Sequence, residues 1–509
     1  MADNTQSSKR IAKNAIILYI RMILLMLVSL YTSRVILEAL GVEDYGIYNV
    51  VGGLVSLLSF FTSSLTNVCQ RYLNLGIGKD DKTIIIKYFK QCGTIFFLFS
   101  IATFIIAETV GTWFVLEKLV IPEERLFAAF WVYQFSLISI LCSINQVNYL
   151  GAIIAHEKMN IYAYIGLFEA FARLLIAYIV VKTSSDNLIT YAGLMAAVSF
   201  IVLLFHIIYC QKTFDICKFG FCWDKDLVKD MIKFVSANIF GCFAWSIGSQ
   251  GTNIIMNMFF GPVVNAAKGI STQVSAVISR FTENVMTAVK PQIIKSYASG
   301  NTTYMLNLIT KSSKLSFFLI SIIAIPLLIY TEPIMQLWLK TVPEYSVAFT
   351  RIVIIEAMAN VFITPLWIAA NATGNVKRNQ IYGRIFNIMQ LPISYILLCV
   401  YPNAIIPVVI AAITQYLYLC YCIYDIKKQL NLQIVLYVKQ VIVPSITILI
   451  ILSAVGLLIY YISGTDAIES VLIKISLSII SGTAVSYLFL TRGEKNFVKS
   501  FIIKFKKRI

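Results

Sequence analysis

Of 509 residues, 59% are hydrophobic and only 13% charged, whereas a soluble globular chain devotes about a quarter of its residues to charge. The formal net charge of +17 is spread over short segments between apolar blocks, which excludes nucleic acid as the partner and leaves the basic loops of a membrane protein as its source. Ten cysteines are scattered without metal-ligand spacing beside only two histidines, His156 and His206, so neither a metal centre, a cofactor nor a disulfide framework is expected.

The chain begins with Lys9, Arg10 and Lys13 ahead of an apolar run too long for a signal-peptide core, and this reads as an uncleaved first helix. About fourteen blocks approach the length of some twenty residues that a helix needs to cross hydrocarbon. In chain order they are Ile11–Leu37, Tyr45–Thr66, Gln91–Val110, Phe127–Tyr149, Ile161–Val181, Leu188–Cys210, Phe234–Phe259, Val263–Val289, Leu315–Tyr330, Val347–Ala370, Ile381–Val400, Ile405–Tyr424, Gln440–Ile462 and Val471–Leu490. The predicted fold class is an all-α polytopic membrane protein.

The loops between these blocks alternate in charge. One set carries Arg71, Lys79, Lys82, Lys87 and Lys90, then Lys158, then Lys212 to Lys233, Lys290 to Lys314, Lys377 to Arg384, and Lys427 to Lys439. The other set holds Glu43, Asp44, Glu117, Glu123, Glu124 and Glu344 with few bases. Both termini are therefore expected in the cytosol. The final segment, EKNFVKSFIIKFKKRI, alternates apolar and basic residues and is expected to lie on the anionic inner leaflet.

An internal repeat is visible. ALGVEDYGIYNVVGGLVSLLSFFTSSLTNV lies on FFGPVVNAAKGISTQVSAVISRFTENVMTA without a gap, placing Gly41 on Gly261, Ser59 on Ser279, Phe61 on Phe281 and Thr62 on Thr282. An even number of spans per unit gives a parallel, pseudo-two-fold repeat. The predicted organisation is an N-terminal lobe at 1–226, a C-terminal lobe at 227–428, and two extra helices with a basic tail at 429–509.

Charge inside the spans is the functional signal, because an ionised side chain at mid-bilayer costs at least ~2.5–3.5 kcal/mol and has to face a cavity or a partner. The basic residues so placed are Arg21, Arg34, Arg173, Lys268, Arg280, Arg351 and Lys474, and the acidic ones are Glu169, Glu283 and Glu356. Glu169 and Arg173 stand four apart on one helix and read as a local ion pair. Arg351 and Lys474 are near enough to helix ends to snorkel, and for Arg34 snorkelling competes with lining a cavity.

Three polar stripes accompany the charges. One helix face presents Gln273, Arg280, Asn284 and Thr287; another presents Ser246, Gln250, Asn253 and Asn257; a third presents Asn49, Ser56, Ser59, Ser63 and Gln70. Such stripes either glue helices together or line a wet cavity. With arginine among them, a basic cavity for an anionic substrate is expected, guanidinium being suited to phosphate. Nothing reads as a nucleotide-binding G-x-x-x-x-G-K-[ST] loop.

The segment KNAIILYIRMILLMLVSLYTSRVILEALGVEDYGIYNVVGG resembles the N-terminus of bacterial polysaccharide-biosynthesis flippases of the multidrug/oligosaccharidyl-lipid/polysaccharide (MOP) exporter superfamily. The features that carry the resemblance are Lys13-Asn14 before the first helix, Ser33-Arg34 near its end, and Leu40, Gly41, Tyr45 and Gly46 at the turn that follows. The resemblance implies a two-lobed, V-shaped transporter of the bacterial inner membrane. It would move an undecaprenyl-pyrophosphate-linked oligosaccharide (an O-antigen, capsule or exopolysaccharide repeat unit) to the outer leaflet by alternating access.

On that reading the anionic glycolipid and membrane lipids are the partners, other polysaccharide-assembly proteins are a further partner class, and the chain is a monomer and not an enzyme. Arg34 would sit at the outer rim of the cavity, and Glu43-Asp44 in the short outer turn. Outward movement of an anion gains ~2.3 kcal/mol per charge per 100 mV of negative-inside potential. Glu169, Glu283 or Glu356 would alternatively couple Na⁺ or H⁺. A drug–cation antiporter of the same superfamily is the rival reading, and it would want carboxylates where bases predominate. A glycan polymerase or ligase would want a large outer loop, which the short, apolar stretch near Glu108–Leu126 does not supply.

Overall fold

Hydrocarbon offers no water to a backbone N–H or C=O, so a chain this apolar has to close its hydrogen bonds within helices. The computed structural model describes the backbone of residues 2–78, 81–156, 158–183, 185–218, 220–373, 383–462, 468–491 and 495. It also describes their side chains, except at 2–23, 60–61, 63–64, 67, 71, 74–75, 78, 232–242, 245, 284–285, 287–288, 291, 298, 384, 462 and 468–469. Among the described residues every regular element is helical. The basic tail expected on the inner leaflet lies outside them, apart from Lys495.

The first helices are α1 (Ala2–Ser56), α2 (Ser59–Gly78) and α3 (Lys82–Ile106), the last running through a π turn into α4 (Thr112–Glu117). After a 3-10 turn at Glu123–Arg125 come α5 (Leu126–Ala155), α6 (Met159–Lys182), α7 (Asn187–Thr213), α8 (Lys225–Phe260) and α9 (Pro262–Ala298). The remainder are α10 (Thr302–Ile329), α11 (Thr331–Trp338), α12 (Ser346–Ala372), α13 (Arg384–Val400), α14 (Ile406–Leu430), α15 (Ile434–Tyr437), α16 (Val443–Ile462) and α17 (Ile468–Leu488).

Ten helical segments among the described residues are long and apolar enough to cross a membrane, and the chain is a multi-pass α-helical membrane protein. The count of ten is of the described residues alone. The first and second predicted spans fuse into one helix that breaks only at Gly41. The spans expected on α8 and α9 lie partly outside the described residues, and α13 contributes a shorter apolar segment, Ile385–Val400.

Asp81, Asp186, Asp224 and Asn301 start α3, α7, α8 and α10 by accepting hydrogen bonds from the first free backbone N–H groups. Asp224 also meets Lys87 at 2.6 Å. That hydrogen bond and charge, with the α8 amides, hold its carboxyl below the usual carboxylate range.

The chain divides into two compact units, Met1–Ala266 and Ala267–Ile509. In the first, α5 packs along α7, α2 and α3, α1 packs along α6, and α8 packs on α1 and α2. Its apolar interior has one centre at Leu65, Phe89, Phe96 and Ile144 and another at Ile47, Val50, Val132 and Leu137. In the second unit α12 packs on α10 and α14, and α16 packs on α10. Phe317 and Phe362 stack there at 4.7 Å. Bulky side chains such as Leu175, Ile396, Ile450 and Ile480 are left exposed on the helix faces, as lipid-facing surfaces require.

Candidate functional site: two glycine hinges and the polar belts

The repeat reappears in the backbone. Gly41 has φ 78° and ψ 171°, and its repeat partner Gly261 has φ 74° and ψ −172°. This region of φ/ψ space is essentially closed to any residue with a Cβ. A Cβ at Gly41 would meet nothing within 4 Å, and one at Gly261 only Val120 Cγ1 at 3.9 Å. Conformation and not crowding is therefore what demands glycine at both sites. Gly46 is there for a different reason: a Cβ on it would run into the backbone carbonyl of Pro262, so α1 presses directly against the α8–α9 turn.

The two hinges are held by different chemistry. At Gly41 the anchorage is ionic. Arg125 Nε donates to Asp44 Oδ1 at 2.8 Å, its Nη2 pairs with Asp44 Oδ2, and Nη1 donates to Asp186 Oδ2 at 2.6 Å. Asn187 Nδ2 adds a bond to the Ala39 carbonyl at 2.9 Å. Burial by itself would raise the Asp186 carboxyl, but the Arg125 bond and the α7 amides outweigh it and hold that carboxyl below its ordinary value.

At Gly261 the anchorage is made of neutral amides. Asn257 Oδ1 accepts from Val120 N at 2.9 Å, while its Nδ2 donates to Val120 O at 3.2 Å and to Asn265 Oδ1 at 3.0 Å. Asn265 Nδ2 donates to the backbone and side-chain oxygens of Asn253, both at 2.7 Å. Asn253 Nδ2 continues the series to Asn49 O at 3.2 Å. Asn257 and Asn265 are 0% exposed. The α8 stripe is also tied to α2's approach by Ser246 Oγ, which donates to Leu57 O at 3.1 Å.

Two of the predicted stripes thus meet in this structure, and Asn49, Asn253 and Asn257 are engaged there as joints between helices. Asn49 Nδ2 and Ser56 Oγ turn back to carbonyls of their own helix at 2.7 and 2.8 Å. Gln250 is half-buried on α8. On α9, Gln273 and Arg280 are half-buried, and Gln273 Oε1 is buried without a hydrogen-bond partner among the described residues. The side chains of Arg21, Asn284 and Thr287 lie outside the described residues. Arg34 is half-buried and Glu283 exposed.

Two pairings stand out among the intramembrane charges. Arg173 Nη2 meets Glu169 Oε1 at 2.5 Å across one turn of α6, with the two side chains 48% and 36% exposed. Beside them Tyr48 and Tyr191 pack edge to face at 4.9 Å. In the second unit Lys268 on α9 and Glu356 on α12 are each other's electrostatic partner. Lys474 corrects the snorkelling expectation: it is 3% exposed and lies over the Tyr460 ring at 5.5 Å, because α16 covers the face of α17 that carries it. Arg351 is exposed.

Sequence reasoning missed Asn265, Arg125 and Asp186. Asn265 lies past the Gly261-Pro262 turn and belongs to no stripe by spacing, and Arg125 is far in sequence from both Asp44 and Asp186. It also missed a neutral contact in the second unit, where Gln415 Nε2 on α14 donates to Asn360 Oδ1 on α12 at 2.5 Å.

Compared by sequence, the chain matches no protein-family model and no curated protein. Compared by fold, it is similar to a solved structure of the lipid II flippase MurJ in an inward closed conformation, at 13% identity and a TM-score of 0.69, over 96% of this chain and 100% of that one. It is similar as well to the inward-facing conformation of a multidrug resistance MATE family transporter of the MOP superfamily, at 14% identity and a TM-score of 0.61, over 81% of this chain and 99% of that one. A third likeness, at 14% identity and a TM-score of 0.54, is to a MOP superfamily transporter from Pyrococcus furiosus described by the reverse polarity of its binding pocket; it covers 82% of this chain and 96% of that one.

The chain has the polytopic helical fold of the MOP transporters. The MOP resemblance carried by Leu40, Gly41, Tyr45 and Gly46 and the fold agree.

Proposed function

We propose that this protein is a flippase that carries a polyprenyl-pyrophosphate-linked oligosaccharide across the bacterial inner membrane by alternating access. The basic loops face the cytosol, both termini included, and the Gly41–Gly261 end faces outward. The observation that carries the reading is the charge balance inside the spans. Basic residues outnumber carboxylates there, and Glu169 and Glu356 are each matched to a base. Arg34 and Arg280, with Arg21 and Lys268, are the candidates for the pyrophosphate, and Gln273, Asn284 and Gln250 for the sugars.

Lys268 and Glu356 suit a carrier in another way. A pyrophosphate that draws Lys268 away leaves Glu356 to take up H⁺ or Na⁺, so substrate and ion would be linked through one pair. The two six-helix lobes of the repeat and the two packing units differ in where α8 belongs. Repeat membership is a matter of descent, whereas the packing partner of a helix changes with the state of a carrier.

The test is ligand-induced stabilisation of the detergent-solubilised protein. A short-chain polyprenyl pyrophosphate should raise Tm in a concentration-dependent way, and Arg280→Ala should weaken the response at least ten-fold in midpoint concentration. Stabilisation by a lipophilic cation, with none by the pyrophosphate, would establish the drug–cation antiporter instead.

A further inference from the structure

We propose that Asn257 is a releasable latch on the outward-facing end, and that its bonds to the Val120 peptide break each time that end opens. The inference rests on the alternating-access reading above and deepens it.

Asn257 occupies a peptide group completely. Its Oδ1 takes the Val120 N–H at 2.9 Å and its Nδ2 gives to the Val120 C=O at 3.2 Å, the pairing that one strand offers another. Its own backbone carbonyl accepts from Gly261 N at 2.8 Å and closes α8. One residue therefore ties the α4–α5 connection to the last turn before the Gly261 pivot. Through Asn265 and Asn253 the same network reaches the Asn49 carbonyl on α1. Swinging α8 about Gly261 away from α1 cannot leave these bonds intact.

The chemistry fits repeated release. Each bond joins neutral groups and contributes little net stability, because water replaces the partner once the site is wet. Charge-assisted hydrogen bonds from a guanidinium fork hold more firmly. The contrast lies close by in the chain, where Arg125 holds the Gly41 turn through Asp44 and Asp186. Charge secures the joint that stays; amides secure the joint that opens. Packing points the same way, since Gly46 brings α1 onto the Pro262 carbonyl and so closes the hinge tightly while the amides are paired.

The test uses the full-length protein in intact cells and in proteoliposomes. A reporter, Asn49→Cys, is labelled from outside with a membrane-impermeant maleimide, and the modification is read on the residue-49 peptide by mass spectrometry. Adding Asn257→Leu should raise the labelling rate at least ten-fold; an unchanged rate overturns the latch. Because Asn257→Leu disturbs packing as well as bonding, a second variant leaves the joint closed. Val120→Cys with Asn257→Cys, joined by a short reducible bifunctional thiol reagent, should lose at least nine-tenths of its glycolipid translocation and recover it on reduction. Undiminished translocation in fully crosslinked protein overturns the proposal. Should the uncrosslinked protein move no glycolipid, the substrate assignment fails, and the labelling arm still decides the latch.

Discussion

Gly41 and Gly261 occupy the same place in a repeat and share a positive-φ, extended-ψ backbone conformation, yet the side chains that anchor them are unlike. Gly41 is followed by an acidic turn gripped by Arg125; Gly261 is followed by proline and ringed by carboxamides. The two turns share the geometry that only glycine can supply and differ in the chemistry around it. The lesson is that one backbone geometry can be held by different chemistry, ionic at Gly41 and neutral at Gly261.

The comparison can be broken most severely at Gly46, which serves both hinges. Gly46→Val forces a branched side chain into the Pro262 carbonyl and should destabilise by about 3 kcal/mol or more, seen as lost folded yield and a lowered Tm. A variant with wild-type Tm would mean that α1 does not bear on the turn. Next come the hinges themselves. Gly41→Ala and Gly261→Ala should each cost about 1–3 kcal/mol, and by similar amounts, since the strained dihedrals match; thermal unfolding of the pair side by side checks this. A several-fold inequality would show that one hinge relaxes and the other does not.

The anchorages separate in a third experiment. Arg125→Ala should cost about 1–2 kcal/mol, a value between the surface and buried limits because the guanidinium is 26% exposed. Arg125→Lys should recover only part, an ammonium lacking the fork that spans Asp44 and Asp186. High salt should shrink the Arg125→Ala effect and leave that of Asn257→Leu unchanged.

The smallest effect is a pH dependence. The Asp186 carboxyl is held below its ordinary value, so its contribution is present above the unfolded pKa of about 3.9 and lost as pH falls through the lower folded value. Asn retains the capping role at this position. The Tm gap between wild type and Asp186→Asn should therefore be open near neutrality and close below about pH 4.

Much of this architecture was legible in the sequence, for physical reasons. Apolar blocks of spanning length announce helices because lipid permits little else, and the gapless match of Gly41 to Gly261 foresaw two equivalent turns. The ion pair of Glu169 with Arg173 followed from their spacing. What the sequence hid was whether a polar stripe is wet or knitted. Asn253 and Asn257 share a face either way, and only their packing against Asn265 and the Val120 peptide reveals a joint. Lys474 was misjudged because depth was read from its distance to a helix end, while the covering ring of Tyr460 comes from another helix. Arg125 looked like a loop charge because its partners, Asp44 and Asp186, are distant in sequence on either side.

The claim that all of this serves an anionic glycolipid is tested most directly by translocation. Purified protein in liposomes is given a labelled polyprenyl-pyrophosphate oligosaccharide, and its arrival in the opposite leaflet is timed for wild type and for Arg280→Ala. The account predicts rapid movement that falls at least ten-fold in the variant. Equal rates in both would remove Arg280 from the path, and no movement of any such lipid, with export of a cationic dye instead, would contradict the account.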